Sequence, residues 1–158
     1  SERVATAGCK IDTLKLITYI YYTVLFGATV YFAYRSQYSV IIKATQILFC
    51  IFLLNVLVYE LPLKLFHFKL YLFAANCFLA KSYWNLSDNG WFSVPLYFLE
   101  IGLIWSLYYF MTVAPEPWIF LLIYNRFADL ANLFIIGCSI YCMRVQQREA
   151  MHPQTATA

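Results

Sequence analysis

Three ionisable residues stand where ionisable residues are costly. Glu100 lies about ten residues into an apolar run that begins at Trp91, and Arg126 and Asp129 lie near the middle of another that begins at Trp118. The segment VAPEPW between the runs, with Pro115 and Pro117, turns the chain back on itself. Glu100 is about 15 residues before that turn and Asp129 about 14 after it, so a rise of about 1.5 Å per residue sets them at similar depth. Arg126 is one helical turn from Asp129 and shares its face. The spacing therefore predicts a Glu100, Arg126 and Asp129 cluster inside a bundle, formally one negative charge. Such a cluster reads first as a charge lock between helices or subunits. Its functional alternative is a proton or ion waypoint, or a polar pocket, which Asn125, Asn132, Ser106 and Gln46 would extend.

Other chemistry finds little to work with. Two histidines, His67 and His152, give no pair for haem, copper or di-iron, so neither a metal nor another cofactor is expected. Cys9, Cys50, Cys77, Cys138 and Cys142 contain no C-x-x-C pair and read as packing thiols. Nucleotide-binding, hydrolase and zinc-protease motifs are absent, and no catalytic residue is assigned. Glu60, Lys64, His67 and Tyr71 recur at helical spacing and read as the polar stripe of an interfacial helix. Lys43 and Lys69 stand near span ends, where long side chains snorkel to water. Small residues mark faces where helices can approach closely: Thr23 with Gly27, Gly102 with Ser106, and Gly137 beside Cys138 and Ser139.

The elements that must position these residues follow from composition. Of 158 residues 63% are hydrophobic, 20% aromatic and 12% charged, about half the charged share of a soluble domain. A sphere of this size could not cover its surface with so few charges, and the net charge of +3 carries no basic face for nucleic acid. The solvent that fits is a bilayer, and the fold class is an all-α integral membrane protein, a helical bundle of four to five hydrophobic helices. The apolar runs are Ile11 to Tyr34, Val40 to Tyr59, Leu65 to Ala80, Trp91 to Val113 and Trp118 to Met143. Four have the roughly 20 residues that spanning needs. The third, over 65–80, carries Lys64, His67 and Lys69 at its start and is expected to be short, lying in the interface or re-entering.

Charge counting leans the same way. With five spans, five Lys or Arg outside the core of the bundle fall on each side; with four, eight fall on the side of both termini and only Arg35 and Lys43 opposite. The chain thus reads as one multi-pass domain over 1–158 with polar tails, 1–10 and 144–158, expected to lack fixed structure. The Asn85-Leu86-Ser87 sequon, on the positive side in this topology, reads as a chance match.

With no cofactor ligands, nucleotide site or soluble domain, the expected role is that of a non-catalytic accessory subunit of a larger membrane complex. Its partners are then lipids and other membrane subunits. An energy-converting complex of the mitochondrial inner membrane is the setting that analogy offers. The alternatives are a small ion or proton transporter that uses Glu100, Arg126 and Asp129, and a lipid-modifying enzyme with the same carboxylates as acid and base.

Overall fold

A computed structural model of the chain describes residues 2–62, 64–86, 92–113 and 117–151, with side chains left out at 2–12, 65, 117 and 118. Five helices fill these segments: α1 (Glu2–Ser36), α2 (Ser39–Tyr59), α3 (Leu65–Asn85), α4 (Ser93–Thr112) and α5 (Pro117–Met151). Four of them carry stretches long and apolar enough to cross a membrane, namely Thr13–Ser36, Ser39–Tyr59, Ser93–Thr112 and Ile119–Met151. The chain is an all-α membrane bundle.

The breaks have local causes. Gln37 closes α1 in the left-handed region (φ 59°), its N–H donating to the Tyr34 carbonyl at 3.2 Å. Ser36 reinforces this turn, donating from Oγ to the Ala33 carbonyl at 2.6 Å and accepting from the Tyr38 N–H at 3.3 Å. Pro62 lies between α2 and α3, while Pro95 and Pro117 sit in the first turns of α4 and α5, where a missing N–H costs nothing.

Contacts along the helices fix a regular register. From one end to the other, α1 meets α2 through Tyr19 and Glu60, then the stacked rings of Phe26 and Phe52 at 4.1 Å, then Tyr34 and Gln46. Between α4 and α5 the sequence is Phe110 with Phe120 at 5.9 Å, Gly102 against Phe127, and Phe92 stacked on Phe134 at 5.7 Å. Tyr22 lies by Asn125, Thr29 bonds Asn132, and Gln146 reaches the Ser36 carbonyl, so α1 and α5 run parallel.

The third helix is longer than its apolar run over 65–80. It has 21 residues and runs antiparallel to α4, from Lys69 at Phe110 to Trp84 at Tyr97, and as expected it is not among the four helices apolar enough to cross a membrane. Lys69 and Asn76, which interrupt its apolar pattern, are buried against the bundle and do not face lipid. The Lys69 Nζ donates to the Phe110 carbonyl at 3.4 Å, one of the last-turn carbonyls of α4 that lack a helical partner, and lies over the Phe120 ring. An α3 aligned with α4 places the two ends of the chain at opposite ends of the bundle, the arrangement in which charge counting has no preference. Helix also runs through the polar segments 2–10 and 144–151, for which no fixed structure was expected. Ser87 of the sequon lies outside the described residues.

The core divides into two clusters. The larger joins Phe26, Ala33, Ile41, Ala44, Leu79, Tyr83, Phe92 and Ile135 toward the end where α1 finishes. The smaller, Leu72, Leu103, Leu107, Phe110 and Phe120, lies among α3, α4 and α5 toward the other end.

A candidate intramembrane cavity at Glu100

Between these clusters, and beneath the first half of α1, lies a cavity of about 590 Å³ to which all five helices contribute. It exists because α1 is barely packed there. From Thr13 to Tyr21 every residue of α1 is exposed except Tyr19, which is half-buried. The cavity reaches the surface beside Leu14, Lys15, Thr18, Tyr59 and Leu122, all exposed. At its far end Phe26, Leu48, Leu79 and Ala131 close it, each buried.

Most of the lining is apolar, but four polar side chains from four helices enter its middle: Asn55 of α2, Asn76 of α3, Glu100 of α4 and Tyr124 of α5. The Tyr124 hydroxyl accepts N–H bonds from Asn55 at 2.8 Å and from Asn76 at 3.2 Å, and Asn76 also donates to the Leu72 carbonyl at 2.7 Å. Two buried acceptors of the lining have no partner among the described residues, Glu100 Oε2 and Asn55 Oδ1. Glu100 is 4% exposed and makes no ion pair among the described residues. An acidic side chain so placed is among the most unfavourable groups a bundle can hold without a donor.

The mouth is tied by a polar contact. Glu60, just past α2, accepts a hydrogen bond from the Tyr19 hydroxyl and pairs with Lys15 Nζ at 3.0 Å. Lys15 also lies 5.5 Å over the Tyr59 ring. The Tyr19 hydroxyl first, and Lys15 second, hold the Glu60 carboxyl below the usual carboxylate range. Glu60 therefore pairs with α1 and not along a stripe with Lys64 and His67, because α2 ends before it and α3 begins only at Leu65.

The predicted three-residue cluster is split. The register of α4 against α5 does set Glu100 level with Asp129, as the turn arithmetic requires, but on another face. Tyr124, Ala128 and Ala131 present one stripe of α5 to the cavity; Arg126, two residues past Tyr124, is about 200° round the helix. Arg126 instead pairs with Asp129 at 3.3 Å, its own side chain 62% exposed and that of Asp129 12%. Tyr22 of α1 lies close enough to feel both charges, and Asp129 Oδ1 is buried without a partner.

Of the small-residue faces, one packs within the chain. A Cβ at Gly102 would meet the Phe127 ring at 3.5 Å, and Ser106 Oγ donates to the Gly102 carbonyl at 3.0 Å. Gly27 and Gly137 have nothing within 4 Å of that position, and Thr23 is exposed with its hydroxyl bonded to the Tyr19 carbonyl, so these faces look outward. Cys50, Cys77, Cys138 and Cys142 are free, and among the described residues no three His, Cys, Asp or Glu side chains converge.

Sequence reasoning missed Asn55, Asn76 and Tyr124. The available signal was an Asn within each of two apolar runs, Asn55 and Asn76, which marks an inward face but not what that face meets. Comparison with protein-family models, with curated proteins and with solved structures finds no match for this chain.

Proposed function

We propose that this chain is a non-catalytic accessory subunit of a larger membrane assembly, docked to its neighbours through the outward face of α5. The observation that carries the reading is Arg126. It stands nine residues into α5, about 14 Å from that end of the helix and near the middle of a hydrocarbon layer about 30 Å thick. Its neighbours on the same face, Leu122, Leu130, Leu133 and Tyr141, are exposed and uncharged. The side chain reaches Asp129, one turn farther from the nearer end, instead of reaching back toward water. Facing lipid, an arginine at that depth costs about 2.5–3.5 kcal/mol on insertion scales, which one carboxylate with five donors to satisfy offsets only in part. A second protein that supplies acceptors removes the cost.

An energy-converting complex of the mitochondrial inner membrane is the setting we infer, by analogy with the small multi-pass subunits that surround such catalytic cores. The transporter reading has less support. The half of the bundle beyond the cavity is close-packed around Ala33, Ile41, Ala44 and Ile135, so the polar middle has one outlet.

A native gel of the source membranes in mild detergent, with mass spectrometry of the band, tests the proposal. Migration with catalytic subunits, lost in Arg126→Leu, is the expected outcome. Migration alone or as a small homo-oligomer contradicts it.

A further inference from the structure

The cavity is not needed for docking, and its chemistry is asymmetric. The mouth carries the polar groups of Lys15, Thr18 and Tyr19, while two unmet acceptors of the lining lie deep, Glu100 Oε2 and Asn55 Oδ1; the Tyr71 and Tyr83 hydroxyls, also buried without a partner among the described residues, stand outside the lining and bond neither. Tyr124 cannot supply both from its single proton, and its oxygen is already taken by two amide donors. Among the described residues no lysine or arginine pairs with Glu100: Lys15 pairs with Glu60, Lys69 is bonded at Phe110 and Arg126 pairs with Asp129. Whatever completes this layer must therefore bring donors. The volume is that of a small-molecule site, and the residues around it match the usual pattern of apolar walls with a few convergent polar groups.

The way in is lateral. Lys15 and Tyr19 hold α1 to Glu60 at the mouth, while Leu14, Thr18 and Leu122 line an exposed gap between α1 and α5. A molecule that enters from the bilayer would go in with its polar end first and leave an apolar tail in that gap. The opposite orientation would put hydrocarbon against Glu100 and leave its carboxyl unmet.

We propose that the cavity is a binding site for one amphipathic molecule with a hydrogen-donating head, a hydroxyl or an ammonium, which reaches Glu100 and Asn55 while its apolar tail passes between α1 and α5. The polar layer of the site is separate from the docking face, since Tyr124 and Ala128 point to it and Arg126 points away, and Leu122 borders both.

The test uses the full chain in phosphatidylcholine nanodiscs with three photoreactive probes of equal chain length: a long-chain alcohol, the corresponding amine and the headless hydrocarbon. Labelled peptides are mapped by mass spectrometry. The expected result is saturable labelling by at least one headed probe at cavity residues of α2 and α5, competed by its unlabelled form, with the hydrocarbon labelling outward faces without saturation. Filling the cavity by Ala128→Phe should lower the saturable labelling at least about tenfold, as loss of one or two good hydrogen bonds would. Glu100→Gln separates the two heads: the amine loses about tenfold or more if it binds as a cation, whereas the alcohol, which needs only an acceptor, changes little. Should Ala128→Phe fail to fold, saturation and mapping in the unaltered chain still decide. Equal, unsaturable labelling by all three probes, or a cavity that takes up only water, overturns the proposal.

Discussion

The two halves of this bundle are built from the same five helices, yet one is closed and the other hollow. In the closed half α1 offers Thr29, Ala33 and Ser36 at spacings of four and three residues, all buried, opposite Ala44, Thr45, Ala131 and Ser139. In the hollow half it offers Tyr19 and Tyr22 toward Phe52, Asn55 and Tyr59, and is otherwise exposed. Side chains one to three heavy atoms long let backbones approach until they are in contact; large rings hold them apart and leave space between. Hydropathy does not distinguish the halves, but side-chain size does.

The sharpest way to break this comparison is to place one substitution in both halves. Ala44→Leu forces extra volume into a position with no exposure and should destabilise the bundle by about 1–3 kcal/mol, while Ala128→Leu, which grows into the cavity, should cost close to nothing. Unfolding by a denaturing detergent titration reads both, and equal losses would mean that the cavity is not open space. The turn that leads α1 into the closed half gives the next effect. Gln37 has a left-handed backbone that glycine adopts without strain, so Gln37→Gly should raise stability by about 1 kcal/mol in the same assay.

A smaller change is expected at the bond between Thr29 and Asn132, 2.8 Å long, where α1 and α5 meet. Hydrogen bonds between membrane helices average about 0.6 kcal/mol, so Thr29→Val, which keeps the shape, should lose about that much. The least effect on stability belongs to the contact at the mouth, where the side chains of Lys15 and Glu60 are both exposed. Its signature is instead pH. Because the Glu60 carboxyl is held below its ordinary range in the folded state, what the contact contributes is fully present at neutral pH and is lost only as pH falls through that lowered value. Maleimide labelling of Thr18→Cys follows the thiolate fraction, so the readout is a ratio: labelling should be faster in Glu60→Gln than in the otherwise unaltered chain by a factor that stays constant through mildly acidic pH.

Helix number and depth were readable because they follow from run length and rise per residue; the turn at Pro115 lies outside the described residues. Glu100 and Asp129 do lie level. What could not be read was rotation about each helix axis. A helix that is apolar all round has no stripe to say which side faces inward, so Glu100 and Arg126 were assigned one face when they occupy two. The same ambiguity hid the layer of Asn55, Asn76 and Tyr124, whose members come from three helices. The length of the third helix was underread for a related reason: Lys69 and Asn76 shorten its apolar run, but both are satisfied within the bundle, where a polar side chain is tolerated.

If another protein covers the outward face of α5, as proposed, a photo-crosslinking residue at Leu130, one turn from Arg126 on that face, will show it in native membranes. The expected product is a discrete adduct with a single polypeptide of a larger complex, and none from the same crosslinker at Phe98 on the exposed face of α4. Lipid adducts alone at Leu130 would contradict it.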